Sequence, residues 1–187
     1  MGPMTIDLPG SGMLAITRDT LTALRSALLR DTGPATTAYL QEAGYAGGGA
    51  TFEAFARWLA SRGAGSPESL SVDGFTREAT EFFRRAGWGS LEVGALHDAV
   101  ATLDSENWSE ATPEQPLELP GCHLSAGMFA DFFGRVADAP LAVMEVECRS
   151  TGAPRCRFLL GSTDVMQSIY DGMSQGLSYE DAVGALV

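Results

Sequence analysis

Lysine is absent from this 187-residue chain: the twelve basic residues are all arginine, against twenty-four acidic ones, for a formal net charge of −12. A field of that sign repels nucleic acid and anionic membrane surfaces, and Arg149, Arg155 and Arg157 make the only dense basic group. Long apolar runs are missing too. No stretch approaches the ~18 residues a spanning helix needs, and no basic-then-apolar leader opens the chain. Cysteine is scarce: three cannot pair without a remainder, and a chain of this length needs no covalent staples, so a reduced, cytoplasmic protein is expected. Apolar residues make up 45% and charged ones 19%, the composition of one globular domain. Met1–Pro3 ahead of Met4 read as a cloning scar, residues 1–16 as an N-terminal segment, and residues 17–187 as a single domain.

Apolar spacing predicts the elements. Leu21, Leu24 and Leu28 repeat at helical intervals over residues 17–31, with Thr17 or Asp19 as cap and Gly33-Pro34 as stop. A shorter helix is expected over 35–43, broken by Gly47-Gly48-Gly49, after which Thr51 caps a helix with Phe52, Phe55 and Leu59 on one stripe. Ser71 or Asp73 opens another, carrying Phe75, Ala79, Phe82 and Ala86 and ending at Gly87. From Ser90 the period turns to two: Leu91, Val93 and Ala95 alternate with Glu92 and Gly94, and residues 100–104 return as a partner strand. Residues 105–120, acidic and proline-rich around Trp108, read as a surface loop. The helix over 121–135 is apolar nearly all round and is expected to be buried on several sides. Residues 140–148 and 156–161 form a second hairpin, and 179–186, capped by Ser178, a closing helix. Helices grouped against antiparallel hairpins make an α+β domain.

The glycine triplet has neither a preceding strand nor a Gly-Lys-Ser/Thr tail, so it reads as a linker and not a phosphate cradle. The cysteines carry more. Cys122 opens the buried helix, where the dipole favours a thiolate. Cys148 and Cys156 flank Gly152 symmetrically, and a regular hairpin sets them opposite each other with Cβ atoms about 4.5–5.5 Å apart. Two thiolates that close repel unless a cation lies between them, and tetrahedral zinc with sulfur at about 2.3 Å suits the spacing. The fourth donor stays open between His123 and Glu145, with Glu147 also near. On a straight strand Glu145 and Cys148 face opposite sides, so using Glu145 requires a bulge before Cys148. The competing reading is three buried cysteines serving as small hydrophobes. A catalytic cysteine with His97 or His123 as base lacks a third group to orient the pair, and His97 reads as a polar strand-end residue.

The segment Gly121-Cys-His-Leu-Ser-Ala-Gly-Met-Phe-Ala-Asp-Phe, followed by Met144-Glu-Val-Glu-Cys-Arg-Ser-Thr-Gly-Ala-Pro-Arg-Cys-Arg-Phe, resembles the 4-vinyl reductase domain family. The family pattern is a cysteine opening a glycine-containing helix, then Glu-x-x-Cys, a short glycine turn and a final cysteine. The resemblance is strongest over residues 90–161. It implies the fold shared with TRAPP vesicle-tethering subunits and haem-based nitric-oxide sensors, a helical layer packed on a four-stranded antiparallel sheet around an apolar pocket. In the aromatic-sensing members three cysteines and a glutamate hold zinc, and the matching residues are Cys122, Glu145, Cys148 and Cys156, at separations of 23, 3 and 8. The resemblance thus favours Glu145 over His123. The tryptophan and histidine with which phenol-sensing members grip a hydroxyl have no clear counterpart here, so the ligand need not be a phenol. No ATPase or DNA-binding segment follows Val187, so a free-standing member is expected.

Three functions compete. A binding module, sensor or carrier, would use a structural zinc to shape a pocket walled by Phe52, Phe55, Phe82, Phe83, Phe129 and Phe132, suited to a hydrophobic aromatic, lipid or tetrapyrrole. A reductase or accessory factor acting on the vinyl group of a (bacterio)chlorophyll precursor would need a hydride or electron source. No dinucleotide fingerprint or iron–sulfur cysteine set is present to supply one. A dimeric scaffold, like the tethering subunits, is the third, and the resemblance implies a homodimer.

Overall fold

The computed structural model describes residue 6 and residues 9–186. Met1–Pro3, with their expected scar, lie outside the described residues. Helix α1 (Arg18–Thr32) starts where expected: the Thr17 hydroxyl accepts from the Thr20 N–H at 3.1 Å, and Gly33, at φ 55°, ends it.

The next helix corrects the sequence reading. Helix α2 (Thr36–Arg62) is continuous for 27 residues and runs straight through Gly47-Gly48-Gly49. Glycine lowers helix propensity because it leaves the chain free elsewhere, but here the missing side chains admit another helix. A Cβ on Gly44 would lie 1.9 Å from the Leu124 carbonyl oxygen, and one on Gly48 would lie 2.5 Å from the Asp131 Cβ. From the other side, a Cβ on Gly127 would lie 1.9 Å from the Gln41 carbonyl oxygen. Thr51, expected as a cap, sits inside the helix and donates its hydroxyl back to the Gly47 carbonyl at 3.0 Å.

Gly63, in the left-handed region at φ 68°, ends α2. Helix α3 (Val72–Arg85) is capped by Ser71, which accepts from the Gly74 N–H at 3.2 Å. Strands β1 (Glu92–His97) and β2 (Val100–Ser105) form the first hairpin. Helix α4 (His123–Ala137) then leads into β3 (Leu141–Glu147) and β4 (Cys156–Ser162), joined by a turn of 3-10 helix at Arg149–Thr151. The sheet is antiparallel in the order β1-β2-β4-β3. Helix α5 (Thr163–Ser174), which the apolar pattern did not reveal, follows at once, capped by Ser162. Helix α6 (Tyr179–Gly184) is capped by Ser178 as expected.

The architecture is the expected α+β one, with an added layer. On one face of the sheet Leu103, Phe158 and Leu160 pack with the aromatic residues of α2, α3 and α4. On the other, Leu159 and Val100 meet Met166 and Ile169 of α5 and Ala182 and Val183 of α6. Burial of both faces explains why β4 reads as a continuous apolar run and not a clean alternation.

Residues 105–120 are also corrected. Trp108, Glu110, Ala111 and Thr112 are buried, Trp108 completely. Acidity and proline content suggest solvent, but this stretch lies across the molecule's interior. Its polar groups are matched there: Ser150 accepts from the Thr112 N–H at 2.8 Å, and the Leu117 N–H donates to the Ser150 carbonyl at 2.8 Å.

Candidate metal centre

Four side chains from three places in the chain meet behind the β3–β4 hairpin. Cys122 stands at the N-terminus of α4, Glu145 on β3, Cys148 just past it, and Cys156 at the start of β4. All four are buried. The register explains how Glu145 joins them. Glu145 pairs with Phe158 and Glu147 with Arg157, so Val146 is an extra residue on β3, a bulge. Val146 packs toward α5 and Glu147 receives the Tyr179 hydroxyl on the same outer side. Cys148 therefore returns to the inner side, with Glu145. The bulge that the carboxylate would need is present.

The sulfurs of Cys122 and Cys148 are 3.9 Å apart and those of Cys122 and Cys156 4.0 Å. Neither distance is a disulfide, whose sulfurs lie about 2.05 Å apart. A regular tetrahedron with metal–sulfur bonds of about 2.3 Å has sulfur–sulfur edges of about 3.8 Å. One donor atom from each of the four residues lies within 4.8 Å of the others. Glu145 Oε2 accepts the Cys122 N–H at 2.8 Å, while its Oε1 is buried without any hydrogen-bond partner. A buried carboxylate oxygen left bare is costly, and a cation is the partner its surroundings lack. The donor set fits a metal.

Charge supports the fit. Burial first, then the Cys148 thiolate, pushes the Glu145 carboxyl up to about 8. Hydrogen bonds from Cys122 and then Cys156 hold the Cys148 thiol far below its ordinary range, while the bonds to Cys148 and Cys156 push Cys122 well above it. Without a cation the cluster thus sustains one thiolate and keeps its other protons. A divalent ion displaces those protons, which couples metal affinity to pH.

The alternative donors lie elsewhere. The His123 ring meets the Thr37 hydroxyl at 3.2 Å, and Glu147 faces outward to Arg155 at 3.0 Å. His97 accepts the Ala99 N–H at its strand end.

Glu110, which sequence reasoning missed, builds the other side of this site. Its carboxylate accepts from the N–H groups of Leu124 at 3.0 Å and Ser125 at 2.7 Å, capping α4, and also from the Ser125 hydroxyl. The indole N–H of Trp108 donates to that hydroxyl at 2.7 Å. No local signal marks this cap, because it comes from fourteen residues upstream and not from the usual three. Burial pushes the Glu110 carboxyl from 4.5 up to about 7, so the folded state holds its proton more tightly than the unfolded chain. The resulting stabilisation is complete below about pH 4.5 and is lost as pH rises through 7. Denaturant midpoints should show wild type losing up to about 3 kcal/mol relative to Glu110→Gln across that window. Parallel profiles for the two proteins would contradict this.

The six phenylalanines named as pocket walls are also brought together, ring against ring. Phe55 meets Phe82 at 5.3 Å and Phe132 at 5.6 Å, Phe83 meets Phe132 at 5.3 Å and Phe129 at 5.7 Å, and Phe52 meets Phe132 at 6.1 Å. Trp108 extends the cluster to Phe129 and stacks on Trp88. The larger surface clefts, of about 310 to 470 Å³, are lined by other residues.

The family model of the 4-vinyl reductase domain matches residues 109–162, a segment that holds all four cluster residues. No curated protein matches the chain. Among solved structures, the phenol-responsive sensory domain of the transcription activator PoxR, crystallised with phenol, is 17% identical. That match covers 89% of this chain and 83% of that one, with a TM-score of 0.63. A vinyl-4-reductase family protein from Methanocaldococcus jannaschii is 18% identical over 87% of this chain and 85% of that one, with a TM-score of 0.50. Trafficking protein particle complex subunit 3 from Naegleria fowleri, covalently bound to palmitic acid, is 14% identical over 77% of this chain and 91% of that one, with a TM-score of 0.52. A 4-vinyl reductase domain match centred on the cysteine–glutamate cluster, and a fold shared along most of the chain, give this protein the fold of that domain family and of the TRAPP subunits.

Proposed function

We propose that this protein is a small-molecule-binding domain, a sensor or carrier, whose C-terminal half is clamped by a structural zinc ion held by Cys122, Glu145, Cys148 and Cys156. The observation that carries the reading is the cluster itself: three sulfurs near tetrahedral edge distances and a buried carboxylate oxygen with no other partner. Four protein donors fill a tetrahedral ion, so it would have no open position for substrate or activated water and would serve as a tie between α4 and the β3–β4 hairpin. The ligand is hydrophobic, an aromatic, lipid or tetrapyrrole. Support comes from the wall of phenylalanines beside the cluster and from two proteins of this fold holding phenol and palmitic acid. Because the rings touch, entry requires Phe83, Phe129 and Phe132 to part. The homodimer and cytoplasmic location expected from the sequence belong to the same proposal.

Native mass spectrometry of protein purified without added metal tests both halves. About one zinc per chain and an apolar adduct released on mild activation are expected. Substoichiometric metal in gently prepared protein would count against the clamp, and the absence of uptake when aromatics and fatty acids are offered would count against the sensor or carrier.

A further inference from the structure

A cleft of about 430 Å³ opens between the α1–α2 corner and the strand of chain before α4, outside the phenylalanine cluster. Leu29, Pro34, Leu117, Leu119 and Pro120 give it apolar walls, and the Arg25 guanidinium forms part of its floor. Arg25 is only 3% exposed. Its donors reach neutral acceptors alone: the Glu110 carbonyl at 3.0 Å, the Gly121 carbonyl at 3.5 Å and the Thr112 hydroxyl. The Glu110 carboxylate is spent on the N-terminus of α4, and no carboxylate among the described residues lies within 4.0 Å of Arg25. Nε–H has no acceptor among them. Burying a guanidinium without a counter-charge is expensive, and planar carboxylates are the partners it pairs with best. Glu118 on the rim is exposed and remains outside ion-pair distance.

We infer that this cleft is a second ligand site, for an apolar monocarboxylate whose headgroup pairs with Arg25 and whose hydrocarbon lies against Leu29, Pro34, Leu117 and Leu119. The volume is that of a small-molecule site. A single negative charge suits it, because a phosphate dianion would bring two charges into an apolar cleft of a molecule carrying −12. The floor runs through Gly121 and His123, so an occupant lies against the residues on either side of Cys122. The inference does not require the zinc or an opening of the phenylalanine cluster.

Calorimetric titration of decanoate and decanol into the full chain decides it. Decanoate should bind at least about ten-fold more tightly than decanol, the margin of a charge-assisted hydrogen bond. Arg25→Gln should remove that preference. Because Arg25 is buried, the second variant is Leu119→Glu, at a residue 75% exposed and so compatible with the fold. It places a like charge on the lip and should weaken decanoate about ten-fold or more. Equal binding of acid and alcohol, or no decanoate binding, overturns the site. Undiminished decanoate binding by Leu119→Glu also overturns it, placing the acid in the aromatic interior and leaving the sensor or carrier reading intact.

Discussion

Cys156→Ser should abolish stoichiometric zinc and lower stability by at least about 4 kcal/mol, since the free energy of a closed metal site is also folding free energy. Cys156 begins β4 and faces Cys122, at the head of α4, across 4.0 Å, so its loss unties the helix from the hairpin. Serine is nearly isosteric and cannot replace a thiolate, which isolates the metal contribution from packing. Metal content and a thermal melt with and without chelator read the effect. Chelator should bring wild type down to the variant and leave the variant unmoved. If the cysteines are only small hydrophobes, chelator does nothing to wild type and Cys156→Ala costs about 1 kcal/mol.

Gly127→Ala should destabilise by about 3 kcal/mol or more, although alanine is the better helix former. The added Cβ would lie 1.9 Å from the Gln41 carbonyl oxygen and 2.8 Å from its carbon, both backbone atoms that no rotamer change can move aside. Helices α2 and α4 would have to separate, opening the contact on which Phe52, Phe55, Phe129 and Phe132 depend. Gly47→Ala is the control. It is exposed and helical with nothing within 4 Å of the new methyl, and should stabilise by about 0.5–1 kcal/mol. Urea midpoints of opposite sign for the two substitutions are the expected result; two stabilised proteins would mean the helices cross more loosely than these distances require.

These glycines show where sequence reading stops. Gly47-Gly48-Gly49 is locally a break, and only α4, some eighty residues away, turns Gly48 into a packing surface. Residues 108–112 fail for the same reason. Their polarity suggests solvent until Ser150, Arg25 and the α4 amides are in place to satisfy it. Helix α5 was missed even though Ser162 caps it and Met166, Ile169 and Met173 recur at helical intervals, because its short stripe followed an apolar strand without an intervening turn.

The cysteine set, the two hairpins and the caps at Thr17, Ser71 and Ser178 were decided by sequence alone, because each depends on residue chemistry or on neighbours within a few positions. The tertiary structure decided the rest. The Val146 bulge turns Glu145 toward the sulfurs, and Gly44, Gly48 and Gly127 lock two helices backbone to backbone. Arg25 is left buried on neutral acceptors at the floor of an apolar cleft. Each of these depends on what a distant segment brings to within a few ångströms, and no local pattern encodes that.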